Sequence, residues 1–600
     1  MSIAMRIRNR EVGDLGLWAG AAVMFAYILW RALLVPVVHD EARVMRLYVY
    51  SGHLLPPNAV LDAGNHLLVT LLGQWATFLF GKTLWAVRLF PVLTYPLYAF
   101  GVIGLMRMID ARIIRWCFGV ALLTMPFLFE FFSLFRGYGP SIAFEVLGLM
   151  WLIRYVENGA TRSLALMLLF FSLAIFSNLS LLLVCCTAFG LATIRLLIFH
   201  EHDRVKQIVL LLLGGGVPVT LMVWYGSLLS ENNLLYSGGT AGFLNDVIGS
   251  LVFLTTGVIR DTWNVAIAVL ACVAMAWAVF YFLWRKQDPA RSALVVVGVV
   301  LLVEVVGRTL MARVMHTPWP TQRTALHYVP LVLVLCAFAL DRLGTIRPLA
   351  TWASLVVLCF PIRTLATLNT THCALWADQC IAPEVFDLVA AAQTKATRPL
   401  LINAPKFVSE EVWNFGRLLR GEVPAPLDHE QHPNTVCDLL ITDPLSTPAP
   451  NGFHRLFDAS TGRMALWERD APLKERLLMD TTFSVQGTDR EFMDFWRINA
   501  SDTIVGQPFF VEVDMQVEAT NFFTASVITK SGPADQEATH WDRLELTSLR
   551  PTWVHESVHL VRRVPADQSA ALNSVVSLYN PDRVEYSLPK VHVRVYAVNE

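Results

Sequence analysis

The residues best suited to chemistry are the adjacent carboxylates Asp40 and Glu41, which follow the first long apolar segment of the chain. Residues 15–38 are nearly all apolar and long enough to cross a bilayer, and residues 6–10 before them include three arginines. By the positive-inside rule the N-terminus is then cytoplasmic, and the two carboxylates lie at the outer membrane surface. Ionisable groups at the edge of a membrane bundle are costly unless paired or used, so both carboxylates are candidate catalytic residues.

Cations are unusually frequent in the predicted outer loops, which normally contain few of them. They are Arg43, Arg46, Lys82, Arg88, Arg136, Arg260, Arg313 and Arg323, accompanied by His39, His53, His66, His316 and His327. This excess predicts a bound anion, and in a membrane cavity the natural anion is a lipid phosphate, which the planar fork of arginine suits. A carboxylate beside such a site can take a proton from an incoming hydroxyl or amine, while cations neutralise a phosphate leaving group.

The composition indicates a multi-pass membrane protein, because the 600 residues are 55% hydrophobic and 16% charged, with a mean hydropathy of +0.50. A net charge of −1 gives no reason to expect a nucleic-acid partner. Apolar runs predict about eleven spans. They lie near residues 15–38, 85–106, 116–134, 140–156, 163–181, 182–199, 207–229, 262–284, 292–312, 325–341 and 349–366. Basic residues occur in alternate loops, which predicts a cytoplasmic N-terminus and an outer location for everything after residue 366.

The domain organisation follows from changes in pattern along the chain. We predict a membrane domain over residues 1–369, with a first outer loop at 39–84 that includes an amphipathic helix at 65–81 lying on the outer surface. Residues 370–471 alternate helical and strand patterns, which predicts a small extracytoplasmic α/β domain with a helix at 409–421 capped by Ser409. Residues 472–600 show period-two segments, which predicts a jelly-roll-like antiparallel β-sandwich. Such sandwiches often bind sugars, but the fold alone does not give a function.

Three parts of the membrane half resemble the GT-C glycosyltransferases, in the subset that includes protein O-mannosyltransferases and lipid A aminoarabinose transferases. The first is the outer-loop pattern Asp40-Glu41-Ala42, Asn65-His66, Leu79-Phe80-Gly81 and Ala86-Val87-Arg88-Leu89-Phe90-Pro91. The second is the segment from Phe132 to Tyr138, which is similar to the family's Ser-Arg-x-Tyr. The third is Arg323 with Tyr328, near the outer end of a late span. The chain has His66-Leu67-Leu68-Val69 where the family commonly has His-Pro-Pro-Leu, and its late arginine is not directly followed by tyrosine.

The resemblance implies a polyprenyl-phosphate sugar donor and an inverting transfer on the outer face of a bacterial inner (plasma) membrane. The acceptor would be a glycan, a glycolipid or a protein, and no cofactor or metal is expected. The resemblance also implies that Asp40 is the general base with Glu41 in support. The residues implied for the donor phosphate or substrate are Arg136, Tyr138, Arg88, His66, Arg323, Tyr328, Arg43 and Lys82.

Other interpretations of the same residues stay open at this point. Asp40 could cap a helix that begins at Glu41, and Arg88 could anchor a helix end by snorkelling. Gly137 beside Arg136 could let a substrate approach the backbone closely. Three charged residues within spans could pair with one another or line the cavity; they are Glu145, Glu304 and Arg308.

Cys373 and Cys380 close a short loop after the last predicted span, in an oxidising compartment, so we predict a disulfide between them. Their spacing does not resemble a zinc site, and no histidine is placed to complete one. The alternative function is a transporter or flippase of lipid-linked sugars with an outer sugar-binding domain. Transporters usually show repeated halves and broken helices near the midplane, which this sequence lacks.

Overall fold

A computed structural model describes most of the chain. The described residues are 3–599 except 57, 200–202, 236–237, 258–260, 285–292, 344–346, 397, 399, 422–426, 431–435, 445–450, 458–463, 498–506, 521–522, 532–539, 550–554 and 565–573. Arg260 and the predicted basic loop at 285–291 therefore lie outside the described residues. The chain divides into a membrane unit, Met1–Leu33 with Leu61–Asn369, and a C-terminal unit, Leu34–Val60 with Thr370–Glu600. The first part of the predicted outer loop thus folds with the C-terminal residues.

The named elements of the membrane unit, within its described part, are all helices. Its helices are α1 (Ile3–Leu34), α3 (Leu67–Phe80), α4 (Leu84–Met106), α5 (Arg112–Leu123), α6 (Leu128–Ser133), α7 (Tyr138–Asn158), α8 (Thr161–Ser177), α9 (Leu182–Ile198), α10 (Arg204–Leu211), α11 (Val217–Glu231), α12 (Ser250–Thr256), α13 (Asp261–Trp284), α14 (Ala293–Val314), α15 (Tyr328–Asp341), α16 (Arg347–Leu355) and α17 (Cys359–Thr367). Helix α7 packs against α4 and α8, and α14 packs against α9 and α15. These contacts position the candidate site described below.

The chain is a multi-pass membrane protein, as its apolar runs predict. Among the described residues, eight helical segments have the length and apolar composition needed to cross a bilayer. They are Asp14–Leu34, Leu84–Met106, Tyr138–Asn158, Leu179–Ile198, Arg204–Glu231, Ala293–Val314, Gln322–Asp341 and Pro348–Thr367. Shorter apolar helices include α3 and α8, so the count of about eleven spans stays a prediction.

Local breaks in the helices have identifiable causes. The predicted span at 116–134 is not one helix, because α5 ends at Leu123 and α6 begins at Leu128, with Pro126 between them. Proline lacks the backbone N–H that would continue the helix. The predicted turn near Ser180 is present, since α8 ends at Ser177 and a 3-10 turn leads into α9.

The C-terminal unit contains an α/β layer and a β-sandwich. Its helices are α2 (His39–Val44), α18 (Pro383–Lys395), α19 (Lys406–Leu419) and α20 (Leu546–Leu549), and a π-helix follows α2 at Met45–Val49. The strands of the α/β layer are β1 (Ile402–Pro405), β2 (Leu427–Glu430), β3 (Leu439–Thr442), β4 (Phe453–Phe457) and β5 (Ala465–Arg469), in the order β2-β1-β3-β5-β4. Strand β1 pairs parallel with β2 and β3, and the other pairs are antiparallel. Ser409 is not the cap of α19, because this helix begins at Lys406.

The sandwich has eight described strands in two antiparallel sheets. They are β6 (Lys474–Thr488), β7 (Phe492–Arg497), β8 (Phe509–Ala519), β9 (Ser526–Ser531), β10 (His540–Glu545), β11 (His555–Val564), β12 (Val575–Tyr579) and β13 (Tyr586–Asn599). The sheet orders are β10-β9-β12-β7 and β11-β8-β13-β6, which is a jelly-roll arrangement. Alternate residues of both sheets meet in one core that includes Val513, Val527, Val576 and Val593.

Candidate active site

Tyr138, the first residue of α7, brings together three of the predicted binding residues. Its ring meets the ring of His66 edge-on, with centroids 4.9 Å apart. The guanidinium carbon of Arg136 lies 5.6 Å from the Tyr138 ring centroid, and Arg323 donates from Nε to the Tyr138 hydroxyl at 3.2 Å. We call these four residues the Tyr138 cluster. It is largely buried, since the exposed fraction is 2% for Arg136, 5% for Tyr138 and 7% for His66.

Gly137 makes the approach of these elements possible. A Cβ atom on Gly137 would lie 1.9 Å from the carbonyl oxygen of Ser177 and 2.5 Å from Cγ of His66. Only glycine therefore lets the end of α8 and the residue before α3 lie against the start of α7. The interpretation that Gly137 opens the backbone to a substrate is wrong, because protein atoms fill that space.

A carboxylate that the sequence analysis missed lies close to Arg136. Asp62 accepts a hydrogen bond at 2.6 Å from the backbone N–H of Gly64. A Cβ atom on Gly64 would lie 3.0 Å from Oδ1 of Asp62 and 3.9 Å from Nη1 of Arg136, so both side chains face this glycine. Tyr225 donates to the carbonyl oxygen of Asp62 at 3.1 Å and fixes the loop from a distant helix. The sequence offered only a lone aspartate before Gly64, which is too weak a signal to single out.

A second polar cluster lies on α14 and at the start of α15. The Oε1 atom of Glu304 accepts from Nε of Arg308 at 2.8 Å and from the Tyr328 hydroxyl at 3.4 Å, and lies 3.0 Å from Nε2 of His327. Arg308 also donates to the carbonyl oxygen of Ser180. Glu304 and Arg308 thus pair with each other, which is one of the two interpretations that the sequence left open for them. Tyr328, which was predicted to bind substrate, uses its hydroxyl to donate this hydrogen bond to Glu304.

Two predicted cations of the membrane unit, Arg88 and Lys82, lie outside the Tyr138 cluster. Arg88 on α4 is fully buried and donates from Nη1 to the carbonyl oxygen of Ala32 on α1, at 2.9 Å. A buried guanidinium bound to another helix does not fit the snorkelling interpretation. Lys82 is exposed and lies between α3 and α4.

Asp40, Glu41 and Arg43 belong to the C-terminal unit. Helix α2 begins at His39 and its N-cap is Val38, so Asp40 and Glu41 occupy the first turn. The alternative that Asp40 caps this helix is therefore wrong, although carboxylates in a first turn are favoured by the helix dipole. Asp40 is half-buried and Glu41 is buried. Arg43, predicted to contact the donor phosphate, donates from Nη1 to Oε1 of Glu411 at 3.0 Å.

The two cysteines of the predicted disulfide are buried and close together. The backbone N–H of Cys373 lies 3.5 Å from Sγ of Cys380. This proximity is compatible with the predicted bond, which stays a prediction.

No protein-family model matches the sequence, and no characterised protein matches it in sequence comparison. Among solved structures, the chain is similar to ArnT from Cupriavidus metallidurans bound to undecaprenyl phosphate, with 13% identity, a TM-score of 0.33 and coverage of 76% of this chain and 97% of that chain. The archaeal oligosaccharyltransferase AglB from Archaeoglobus fulgidus, in complex with an inhibitory peptide and a dolichol-phosphate, has 9% identity and a TM-score of 0.39, covering 91% and 95%. Arabinosyltransferase EmbB from Mycobacterium smegmatis has 13% identity and a TM-score of 0.30, covering 97% and 64%.

Proposed function

We propose that the chain is a membrane glycosyltransferase that moves a sugar, with inversion, from a polyprenyl-phosphate donor to an acceptor. The acceptor is a glycan, a glycolipid or a protein, and the reaction takes place at the outer face of a bacterial inner (plasma) membrane. The observation that carries this proposal is the Tyr138 cluster, in which Arg136 and Arg323 contact one tyrosine inside a unit built of apolar helices. Cations in such surroundings are costly and are characteristically kept for a function.

The chemistry of this cluster suits a phosphate attached to a lipid. Guanidinium groups bind phosphate oxygens through parallel, charge-assisted hydrogen bonds, which lysine cannot reproduce. Arg136 and Arg323 come from helix ends far apart in sequence, so together they can approach a phosphate from two directions. The neighbouring apolar helices offer surroundings in which a polyprenyl chain is soluble. A phosphate-bearing lipid combines both requirements in one molecule.

The proposed transfer is a single displacement. A hydroxyl or amine of the acceptor attacks the anomeric carbon from the face opposite the phosphate, and a new bond to that carbon forms. The bond between this carbon and the phosphate oxygen breaks, and its electron pair leaves with the polyprenyl phosphate. Asp40 takes the acceptor proton as general base, with Glu41 in support. Arg136 and Arg323 neutralise the charge that develops on the leaving phosphate, so no strong acid is required.

Binding of undecaprenyl phosphate to the purified protein tests this proposal directly. Arg136→Ala and Arg323→Ala should each raise the dissociation constant about 10- to 100-fold, because hydrogen bonds to charged groups contribute about 1.5–3 kcal/mol. Arg313→Ala is the matched control, since Arg313 is an exposed arginine in the last turn of α14. Undecaprenol, which lacks the phosphate, should not compete. Wild-type protein that binds both lipids equally, or cluster variants that bind like the control, would contradict the proposal.

A further inference from the structure

Glu411 on α19 holds two arginines of the segment that carries Asp40. Its Oε2 atom accepts from Nε of Arg46 at 3.0 Å and from Nη2 of Arg46 at 2.6 Å. Its Oε1 atom accepts from Nη1 of Arg43 at 3.0 Å. The two oxygen atoms of the Glu411 carboxylate therefore bind both α2 and the following π-helix. Glu411 lies more than 350 positions after these two arginines in the chain.

This ion pair is buried, which makes its geometry demanding. The side chains of Arg46 and Glu411 are 2% and 1% exposed. Burial alone would raise the pKa of Glu411, but the charges of Arg46 and Arg43 outweigh it and lower that pKa, so the carboxylate is ionised at neutral pH. Removing one partner of a buried pair leaves an uncompensated charge, whereas a well-packed apolar replacement of the whole pair is often as stable. The presence of such a pair is therefore better explained by a need for defined geometry than by stability.

Contacts on either side of the pair fix the rest of the segment. At its beginning, the backbone N–H of His39 donates to Oε1 of Gln379 at 3.1 Å. At its end, the ring of Tyr50 lies 5.7 Å from the ring of Phe415, on the same helix as Glu411. Arg46 also donates to the carbonyl oxygen of Thr547 in the sandwich. Helix α2 has only six residues, too few to be stable alone, so these tertiary contacts determine its conformation.

We infer that Glu411 is a positioning residue for the proposed transfer: through Arg43 and Arg46 it holds α2 so that the carboxylate of Asp40 keeps its reactive orientation. This inference rests on the proposed function. Asp40 and Arg43 are one helical turn apart, so a shift of the arginine moves the carboxylate with it. Misplacement of a reacting group by about 1 Å costs on the order of 100-fold in rate. The α/β layer and the sandwich thereby contribute to the positioning of Asp40.

The test compares Glu411→Gln with Asp387→Asn. Asp387 accepts from Arg420 at 2.8 Å in an exposed pair of the same α/β layer, so its variant removes a carboxylate without touching α2. Transfer is measured as release of undecaprenyl phosphate from synthetic undecaprenyl-phosphate hexoses and pentoses, with a whole cell-envelope extract that contains glycolipids, polysaccharides and membrane proteins as acceptor. Glu411→Gln should lower kcat about 10- to 100-fold, because a misplaced reacting group costs on the order of 100-fold in rate. The affinity of this variant for undecaprenyl phosphate should stay unchanged. Hydrogen exchange in the peptide covering residues 39–49 should rise in Glu411→Gln and not in the control.

The outcomes separate this inference from the proposed function. If the wild-type protein transfers none of these sugars, the proposed function is contradicted. The hydrogen-exchange experiment then still shows whether Glu411 stabilises residues 39–49. Wild-type exchange in residues 39–49 together with wild-type kcat in Glu411→Gln would overturn the inference. If Glu411→Gln does not fold, Arg46→Lys keeps the charge but loses the two-pronged contact. Arg46→Lys should then lower kcat without changing the affinity for undecaprenyl phosphate. If Arg46→Lys keeps the wild-type kcat, the inference is equally overturned.

Discussion

The contact at Gly137 makes a quantitative prediction about the Tyr138 cluster. In Gly137→Ala the new Cβ atom would lie 1.9 Å from the carbonyl oxygen of Ser177, whereas ordinary contacts begin near 3.4 Å. The start of α7 and the end of α8 must therefore separate by about 1.5 Å, or the backbone must deform. Neither neighbour is the flexible end of a long side chain, because one is a backbone oxygen and the other is the ring of His66.

The expected cost follows from the size of this overlap. Adding a methyl group to a well-packed interior typically costs about 1–3 kcal/mol, and backbone neighbours place Gly137→Ala near the upper end. A shift of His66 and of Tyr138 also displaces Arg136, which contacts the same ring. We expect an affinity for undecaprenyl phosphate about tenfold weaker, equivalent to about 1.4 kcal/mol, together with a melting temperature lowered by a few degrees.

Gly190→Ala is the matched control, since Gly190 lies within α9 and a Cβ atom there meets nothing within 4 Å. This substitution should stabilise the helix by roughly 0.5–1 kcal/mol, because glycine loses more conformational freedom on folding than alanine. Both variants are compared in the same detergent by thermal unfolding and by undecaprenyl phosphate titration. If Gly137→Ala unfolds and binds like Gly190→Ala, the α7–α8 contact is not what positions the cluster, and the argument from Gly137 fails.

Four further predictions concern the chemistry and the C-terminal unit. Asp40→Asn should reduce transfer by a factor on the order of 10²–10⁴, as for loss of a general base, with unchanged binding of undecaprenyl phosphate; wild-type turnover would rule out this role. Arg136→Lys keeps the charge but loses the bidentate contact, so titration should show donor affinity weaker by about 1–3 kcal/mol. Mass spectrometry of non-reduced peptides should find Cys373 joined to Cys380, and free thiols at both would refute it. Amide protection in residues 39–49, taken as the ratio of the intrinsic to the observed exchange rate at each pH, should be constant from neutral pH down to the ordinary glutamate pKa of about 4.3 and fall below it, because a lowered pKa makes the stabilisation by Glu411 disappear only as pH falls; Glu411→Gln should remove this dependence. The charged and titratable groups that act on Glu411 are Arg43, Arg46 and His39.

Elements whose pattern is local were predictable from the sequence. The apolar run at 85–106 and the period-two run at 509–519 correspond to α4 and β8, because length and periodicity directly reflect a span and a half-buried strand. The run at 116–134 failed because its apolar character hides Pro126, which ends one helix and separates it from the next. Hydropathy measures burial and not backbone continuity, so this kind of error is expected at prolines inside apolar runs.

The pairings within the candidate site were not predictable from the sequence. The motif around Arg136 and Tyr138 is a local pattern, whereas the hydrogen bond from Arg323 to Tyr138 joins residues 185 positions apart. Arg43 and Arg46 lie within one or two turns of Asp40 and both bind Glu411. A carboxylate on a distant helix leaves no signal in the sequence near the arginines that it pairs with.

The structure shows which groups several of the cations contact, whereas the sequence shows only that many cations are present. Arg46 and Arg308 contact carboxylates, Glu411 and Glu304, and such contacts cancel most of the charge that an outside anion would meet. Arg136 and Arg323 both contact Tyr138, the first over its ring and the second through its hydroxyl, and the side chains of Asp62 and Arg136 face the same glycine, Gly64. An excess of arginine in outer loops predicts that an anion binds to some of these arginines. Which of them bind it depends on the other groups that each arginine contacts. Because two of these arginines meet at one tyrosine, we propose that the Tyr138 cluster is the place in the membrane unit where the donor phosphate binds.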